Sequence, residues 1–164
     1  MNKKGFTLVE LLATIAIIAI IATLAVPNII SMVSNGKTKS VIADAKEIIA
    51  QAKKERVKYA GDYPYEITLK DLDIDLDPNN DESDESNPDK DAYGNAYDKD
   101  NTKVKITEAY QNEDGESCSK GNLGCFKTYV YSIKYVAGEH KLTHENAEDD
   151  GYIKEQDLEN ATYE

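Results

Sequence analysis

The chain has 164 residues, a formal charge of −12, no Trp, two Phe and eleven Tyr. Residues 1–60 carry nine Lys/Arg against four Asp/Glu, whereas residues 61–164 carry ten against twenty-seven. An acidic surface of that size keeps the second part soluble and argues against nucleic-acid binding through it, because phosphate recognition rests on Lys and Arg. Tyrosine must supply much of the aromatic burial, and each buried hydroxyl then needs a hydrogen-bond partner.

The first element is a basic leader, Lys3-Lys4-Gly5, followed by Phe6-Thr7-Leu8-Val9-Glu10 and a long apolar run. No charged side chain occurs between Leu11 and Gly36. As a helix that stretch reaches roughly 39 Å at about 1.5 Å per residue, enough to cross about 30 Å of hydrocarbon. A secretory signal peptide would have an apolar part of only about 7–15 residues and a small-residue cleavage site after it. Here the run is longer, and Gly5 precedes it. The stretch therefore reads as a transmembrane helix.

Glu10 is out of place in such a run. A carboxylate at membrane depth costs a few kcal/mol and calls for a partner. The plainer alternative is that Glu10 reaches the headgroups from the helix end. Cleavage between Gly5 and Phe6 would create an amine four residues before Glu10, on the same helix face.

The octapeptide Gly5-Phe6-Thr7-Leu8-Val9-Glu10-Leu11-Leu12 resembles the class III signal of type IV prepilins, and the resemblance extends over residues 1–35. It implies that a membrane-embedded aspartyl peptidase cuts after Gly5 and methylates Phe6. It implies that Glu10 faces the Phe6 amine of a neighbouring subunit during assembly. Pro27 matches the proline that bends the family's long helix, and a proline, lacking an amide hydrogen, is expected to kink the helix near Leu24–Pro27. The partners implied are further copies of the chain in a helical homopolymer, the prepilin peptidase, the pilus assembly machinery and the membrane. The leader would face the cytoplasm. The charges themselves leave orientation open, with Lys3 and Lys4 on one side and Lys37, Lys39 and Lys46 on the other.

Pilus subunits, competence pseudopilins and secretion pseudopilins share this signal. Retention of Glu10 argues against the tip-type subunits, which in the family often lack it, and a long head with an acidic loop favours a surface pilus. Adhesion and twitching motility accompany the first reading, protein secretion or DNA uptake the second. The domain plan is a leader over residues 1–5, a filament-core helix over 6–34 and a pilin-like head over 35–164, its first part (35–60) being the amphipathic half of the helix.

In that half, Val41, Ala45, Ile48, Ile49 and Ala52 recur at spacings of three and four, predicting one buried stripe. The helix is expected to stop at Tyr59-Ala60-Gly61, with Gly61 as a left-handed cap. The basic cluster Lys53, Lys54, Arg56 and Lys58 either meets acidic neighbouring heads or forms a solvated helix end suited to its dipole. Asp62–Tyr65 reads as a connector and Thr68–Leu72 as a short capped turn. From Asp73 to Asp91 the chain is acidic, Asn-rich and almost devoid of apolar residues, the signature of a solvated loop. Clustered carboxylates also suit calcium, though the EF-hand spacing is missing. Asp91-Ala92-Tyr93-Gly94-Asn95-Ala96-Tyr97 partly resembles a turn of major type II secretion pseudopilins, some of which bind calcium. Tyr93 stands where Trp is usual, and Ala96 where Pro is.

Val104 and Ile106 alternate with lysines, predicting a strand. Phe126–Val136 predicts another, with Tyr129, Tyr131, Ile133 and Tyr135 on one face. Ala137-Gly138-Glu139 would turn it into a third at Lys141–His144, and Tyr152-Ile153 begins a last short element after a turn at 148–151. An antiparallel sheet of three or four strands covering the helix stripe gives an α+β fold.

Cys118 and Cys125 flank a short Gly-containing loop, and a cell-surface domain permits a disulfide between them. A zinc site from Cys118, Cys125, His140 and His144 is the alternative, but six residues separate the cysteines where zinc fingers place two to four. No cofactor is otherwise implied. The sequence contains no phosphate loop, nucleophile elbow or zinc-protease helix, so no catalytic activity is expected.

Overall fold

The computed structural model describes residues 5–72, 74–76 and 89–164. The chain divides into two compact units, Met1–Lys37 and Thr38–Glu164. Lys3 and Lys4 lie outside the described residues, as does most of the acidic loop expected over Asp73–Asp91. Helix α1 (Leu8–Arg56) contributes to both units.

In the second unit α1 buries the predicted stripe. Val41, Ala45, Ile48, Ile49 and Ala52 are fully buried, and Ile42 nearly so. They form one cluster with Ile67, Val104, Ile106, Ile133, Tyr135, Ile153 and Leu158. Each large aliphatic side chain so buried contributes about 1.5–3 kcal/mol of transfer free energy, which holds this half of α1 against the sheet.

The main sheet is antiparallel, in the order β1-β2-β3-β6, from β1 (Tyr65–Thr68), β2 (Lys103–Gln111), β3 (Phe126–Lys134) and β6 (Ile153–Lys154). Its long pair sets Val104 opposite Ile133 and Ile106 opposite Tyr131. The period-two alternation read from the sequence thus points its apolar face at α1. The fold is α+β, a long N-terminal helix on a small antiparallel sheet in a pilin-like arrangement.

Three local expectations are corrected. The strand after Ala137-Gly138-Glu139 does not extend the main sheet. It is β5 (His140–Thr143) of a second, three-stranded sheet with β4 (Val136–Ala137) and β7 (Thr162–Tyr163). The cause is Thr102, fully buried, whose hydroxyl donates to the Val136 carbonyl at 2.9 Å and accepts from the Val136 amide at 3.0 Å. Both backbone groups of Val136 are thereby taken, and the chain leaves the β2–β3 ladder after Lys134. The connector at Tyr65 is in fact strand β1, a four-residue element with only Ile67 buried. Pairing with β2 rather than its own pattern makes it a strand.

The helix also stops sooner than expected. Past Arg56 the chain tightens into i→i+3 bonds (Val57 to Lys54, Lys58 to Glu55, Tyr59 to Arg56). Tyr59 then stacks on Tyr65 with ring centroids 3.8 Å apart. Gly61 is not among the left-handed glycines, so it is no cap. The capped turn at 68–72 is present as a 3₁₀ turn over Leu69–Asp71, with the Thr68 hydroxyl accepting from the Asp71 amide.

Candidate processing and assembly site

The first described residues are built to start a helix. Thr7 precedes Leu8 and caps it: its hydroxyl accepts from the Glu10 amide at 3.3 Å. Glu10 answers through one oxygen, Oε2, which accepts from the Thr7 amide at 2.9 Å and the Thr7 hydroxyl at 2.8 Å. Thr7-Leu8-Val9-Glu10 is therefore a reciprocal capping box, which satisfies amides that no preceding turn can reach. The Thr-x-x-Glu spacing is a sequence signature of this box, alongside the amine-partner and headgroup readings of Glu10.

In the uncleaved chain Phe6 lies two residues before α1; the placement expected of its amine against Glu10 belongs to the cleaved chain. Phe6 is 83% exposed. At Gly5 an added Cβ would meet nothing within 4 Å. No packing within the chain requires a glycine there.

Beyond Glu10 the helix presents apolar surface all round. Leu11, Leu12, Ile15, Ile17, Ile18, Ile20 and Ile21 are all exposed. The polar side chains in this run are satisfied by the helix itself: Thr14 Oγ1 donates to the Leu11 carbonyl (2.8 Å), Thr23 Oγ1 to Ala19 (2.8 Å) and Asn28 Nδ2 to Leu24 (3.0 Å). A helix whose Thr14, Thr23 and Asn28 side chains bond its own backbone and whose apolar faces stay uncovered is suited to lipid or to other such helices. It is the one helix among the described residues long and apolar enough to cross a membrane. Pro27 lies inside it and leaves the Thr23 carbonyl without its helical amide donor.

The head carries the remaining predicted residues. Cys118 and Cys125 are joined in a disulfide, seven residues apart. Their sulfurs are thus not free to bind zinc with His140 and His144. His140 lies beside the Tyr163 ring (5.7 Å), and His144 Nδ1 accepts from the Asn146 amide.

The Asp91–Tyr97 turn is well formed. Asp91 Oδ1 accepts from the amides of Tyr93 (2.9 Å) and Asn95 (2.8 Å), and Gly94 supplies a φ of +90°. Its Oδ2 accepts from Asn95 Nδ2 (3.4 Å) and from the Tyr163 hydroxyl. Asp91 is thus buried with both oxygens engaged by its own chain. Among the described residues no group of three or more His, Cys, Asp or Glu side chains is arranged to hold a metal ion.

The basic helix end is likewise engaged within its chain. Lys53 pairs with Glu155 at 2.5 Å and Lys58 with Glu55 at 2.8 Å, Lys54 donates to Gln51, and the Arg56 guanidinium lies 4.1 Å from the Tyr129 ring centre. Asp44, half-buried on α1, accepts from the Tyr97 hydroxyl at 3.0 Å. Burial holds its carboxyl above the usual range, the Tyr97 bond opposes this, and Asp91 and Glu47 add to it.

A capped helix start behind Gly5, leading into an uncovered apolar helix, fits a membrane-anchored precursor. Residues 1–26 match the family model described as the prokaryotic N-terminal methylation motif, the class III prepilin signal of type IV pilins and pseudopilins. That motif points to a structural subunit rather than an enzyme. No curated protein and no solved structure matches the chain.

Proposed function

We propose that the protein is the structural subunit of a type IV pilus-like surface filament. Prepilin peptidase cleaves it between Gly5 and Phe6 and methylates Phe6, and the assembly machinery then moves α1 from the lipid to the filament centre. The observation that carries this reading is the methylation-motif match at residues 1–26 on a helix whose apolar residues the chain leaves exposed.

In this mechanism Glu10 changes partner. Before cleavage its Oε2 serves the Thr7 amide and hydroxyl, leaving Oε1 open to a further donor. Cleavage creates the Phe6 amine, and in the filament the amine of a neighbouring subunit offsets the cost of placing Glu10 in an apolar core. That pairing fixes the stagger between subunits. Pro27 provides a joint at which the helix extends under load. A surface pilus and a secretion or competence pseudopilin share every one of these steps. The length of the head and its acidic loop favour the surface pilus.

The test is the intact mass of the protein from its native cells, with and without reductant, alongside the fraction sheared from the cell surface. The expected species lacks residues 1–5, carries one added methyl and gains two hydrogens on reduction. A full-length unmethylated chain overturns the reading. Processed protein confined to the envelope rather than the sheared fraction would instead identify a pseudopilin.

A further inference from the structure

We propose that the disulfide loop Cys118–Cys125 is a docking knob that seats in the β4–β5 groove of a second copy of this chain. It rests on the filament reading above and adds which head surfaces meet.

The knob is a rigid apolar projection. Leu123 is fully exposed (106%), and Phe126, just past the second cysteine, is 57% exposed. Gly121 and Gly124 flank Leu123 at φ of +93° and +80°, conformations that only glycine adopts freely. Cys118 is tied to the Tyr110 carbonyl at 2.9 Å and to Cys125 through sulfur. A loop fixed at both ends loses little freedom on binding, so its contacts go into affinity. No described residue of this head covers Leu123.

The groove lies at the other end of the same head. Its volume is about 560 Å³, and its lining combines the apolar Val136, Leu142 and Ala147 with two lysines, Lys134 and Lys141, and three acids, Glu148, Asp149 and Asp150. Lys105 pairs with Glu148 at 2.5 Å and Asp150 at 3.2 Å, and not with Asp149. The one charged residue between the two cysteines is Lys120. The knob thus brings one apolar side chain and one cation to a groove that offers three apolar side chains and, at Asp149, a carboxylate with no ion-pair partner among the described residues, beside Lys134 and Lys141.

The placement of the two surfaces decides the occupant. Arg56, where α1 ends, lies over Tyr129, three residues from Phe126, so the knob projects at the end where the helix stops. Leu142 pairs with Tyr163, whose ring is 4.9 Å from that of Tyr93, and the Tyr93 hydroxyl is 2.8 Å from Thr38 Oγ1. The groove therefore sits where the chain enters the head. Strand β3 alone separates these ends by roughly 26 Å, at about 3.3 Å per residue. Complementary patches at opposite ends of one molecule make a heterologous contact that propagates instead of closing, which is what an axial stack of parallel subunits needs.

A photo-crosslinking amino acid at position 123 of the full chain, expressed in native cells, tests this directly. The expected result is an intersubunit ladder whose cross-linked peptides map to residues 136–151. Adducts mapping elsewhere, on this chain or on another protein, overturn it, as does the absence of any adduct in sheared filaments. Charge reversal gives an independent readout. Lys120→Glu should cut the sheared-filament yield several-fold, and Lys120→Glu with Asp149→Lys should restore it; equal yields in all three strains would sink the proposal.

Both positions are exposed, so the fold tolerates the changes. Intact mass is recorded for every strain. Processed chains in filaments with position 123 uncrosslinked reject the docking alone. Wild-type chains that are unprocessed, or processed yet never polymerised, reject the filament reading and the docking with it.

Discussion

One helix behaves as two materials. Over residues 8–33 α1 exposes nearly every large apolar side chain it has, while over residues 41–52 it buries the same residue types completely. Ile18 is 64% exposed and Ile48 fully buried, though both are isoleucines in regular helix. The difference lies in pattern and not in propensity. In the first stretch apolar residues occupy every face, which no single sheet can cover. In the second they recur at 41, 45, 48, 49 and 52, with Asp44, Lys46, Glu47 and Gln51 among the intervening positions. A helix apolar all round requires a solvent or partners of its own kind; an amphipathic one finds its cover within the chain.

The contrast is broken most severely from the head side. Ile48→Ala removes a fully buried side chain from the centre of the core, and the expected cost is about 2–5 kcal/mol in denaturant unfolding. Ile18→Ala should leave head stability unchanged and act only on membrane retention or filament yield. Equal destabilisation by both would mean that the anchor's apolar surface is covered by the head after all.

Next in size is the disulfide. Breaking it with Cys118→Ser and Cys125→Ser together releases a loop of eight residues, worth about 2.5 kcal/mol on the chain-entropy estimate. The bond braces a hairpin end outside the buried cluster. The double variant should therefore keep its cooperative transition while its thermal midpoint falls, and the anchor should be unaffected.

These cases also mark how far the sequence could be read. The methylation motif and the apolar helix were legible because a local signature and a long uncharged run declare themselves without tertiary help; the roles of Gly5, Phe6 and Glu10 are those proposed above. The stripe from Val41 to Ala52 was legible from its period. Strand β1 was not, because one buried Ile67 in four residues carries no periodicity, and pairing with β2 creates it. Nor was the second sheet, since its cause is one side chain, Thr102, capturing Val136 from thirty-four residues away. The capping box at Thr7 was legible in its Thr-x-x-Glu spacing. The engagement of Asp91 by Tyr163, seventy-two residues on, could not have been read from the turn alone.

The capping box sharpens the contrast at the start of the anchor. Thr7→Ala removes the hydroxyl that donates to Glu10 Oε2 and accepts from the Glu10 amide, leaving Oε2 only the backbone amide at position 7, at an expected cost of about 1 kcal/mol to the first helical turn. In detergent micelles the amides of Leu8 to Glu10 should exchange several-fold faster, with exchange in the second unit unchanged. Unaltered exchange at Leu8–Glu10 would show that the cap contributes nothing once the helix is in a micelle.

The smallest effect concerns Asp44, a half-buried carboxylate on the head half of α1. Burial lifts the Asp44 carboxyl above its usual range more than the Tyr97 bond lowers it, and Asp91 and Glu47 push the same way. A carboxyl raised on folding favours the folded state while protonated, and this contribution is lost as pH rises through its folded value. At pH 7 the charged Asp44 therefore weighs against folding. Asp44→Asn keeps an oxygen for the Tyr97 hydroxyl and removes the charge, so its thermal midpoint should exceed that of the unaltered protein at pH 7. The gap should close as pH falls below the ordinary carboxylate value, where Asp44 is protonated in both states. A lower midpoint for Asp44→Asn at pH 7 would show that the charge-assisted bond from Tyr97 outweighs desolvation. The head half of α1 would then be held by a polar contact as well as by its apolar stripe, and pattern alone would no longer account for the difference between the two halves.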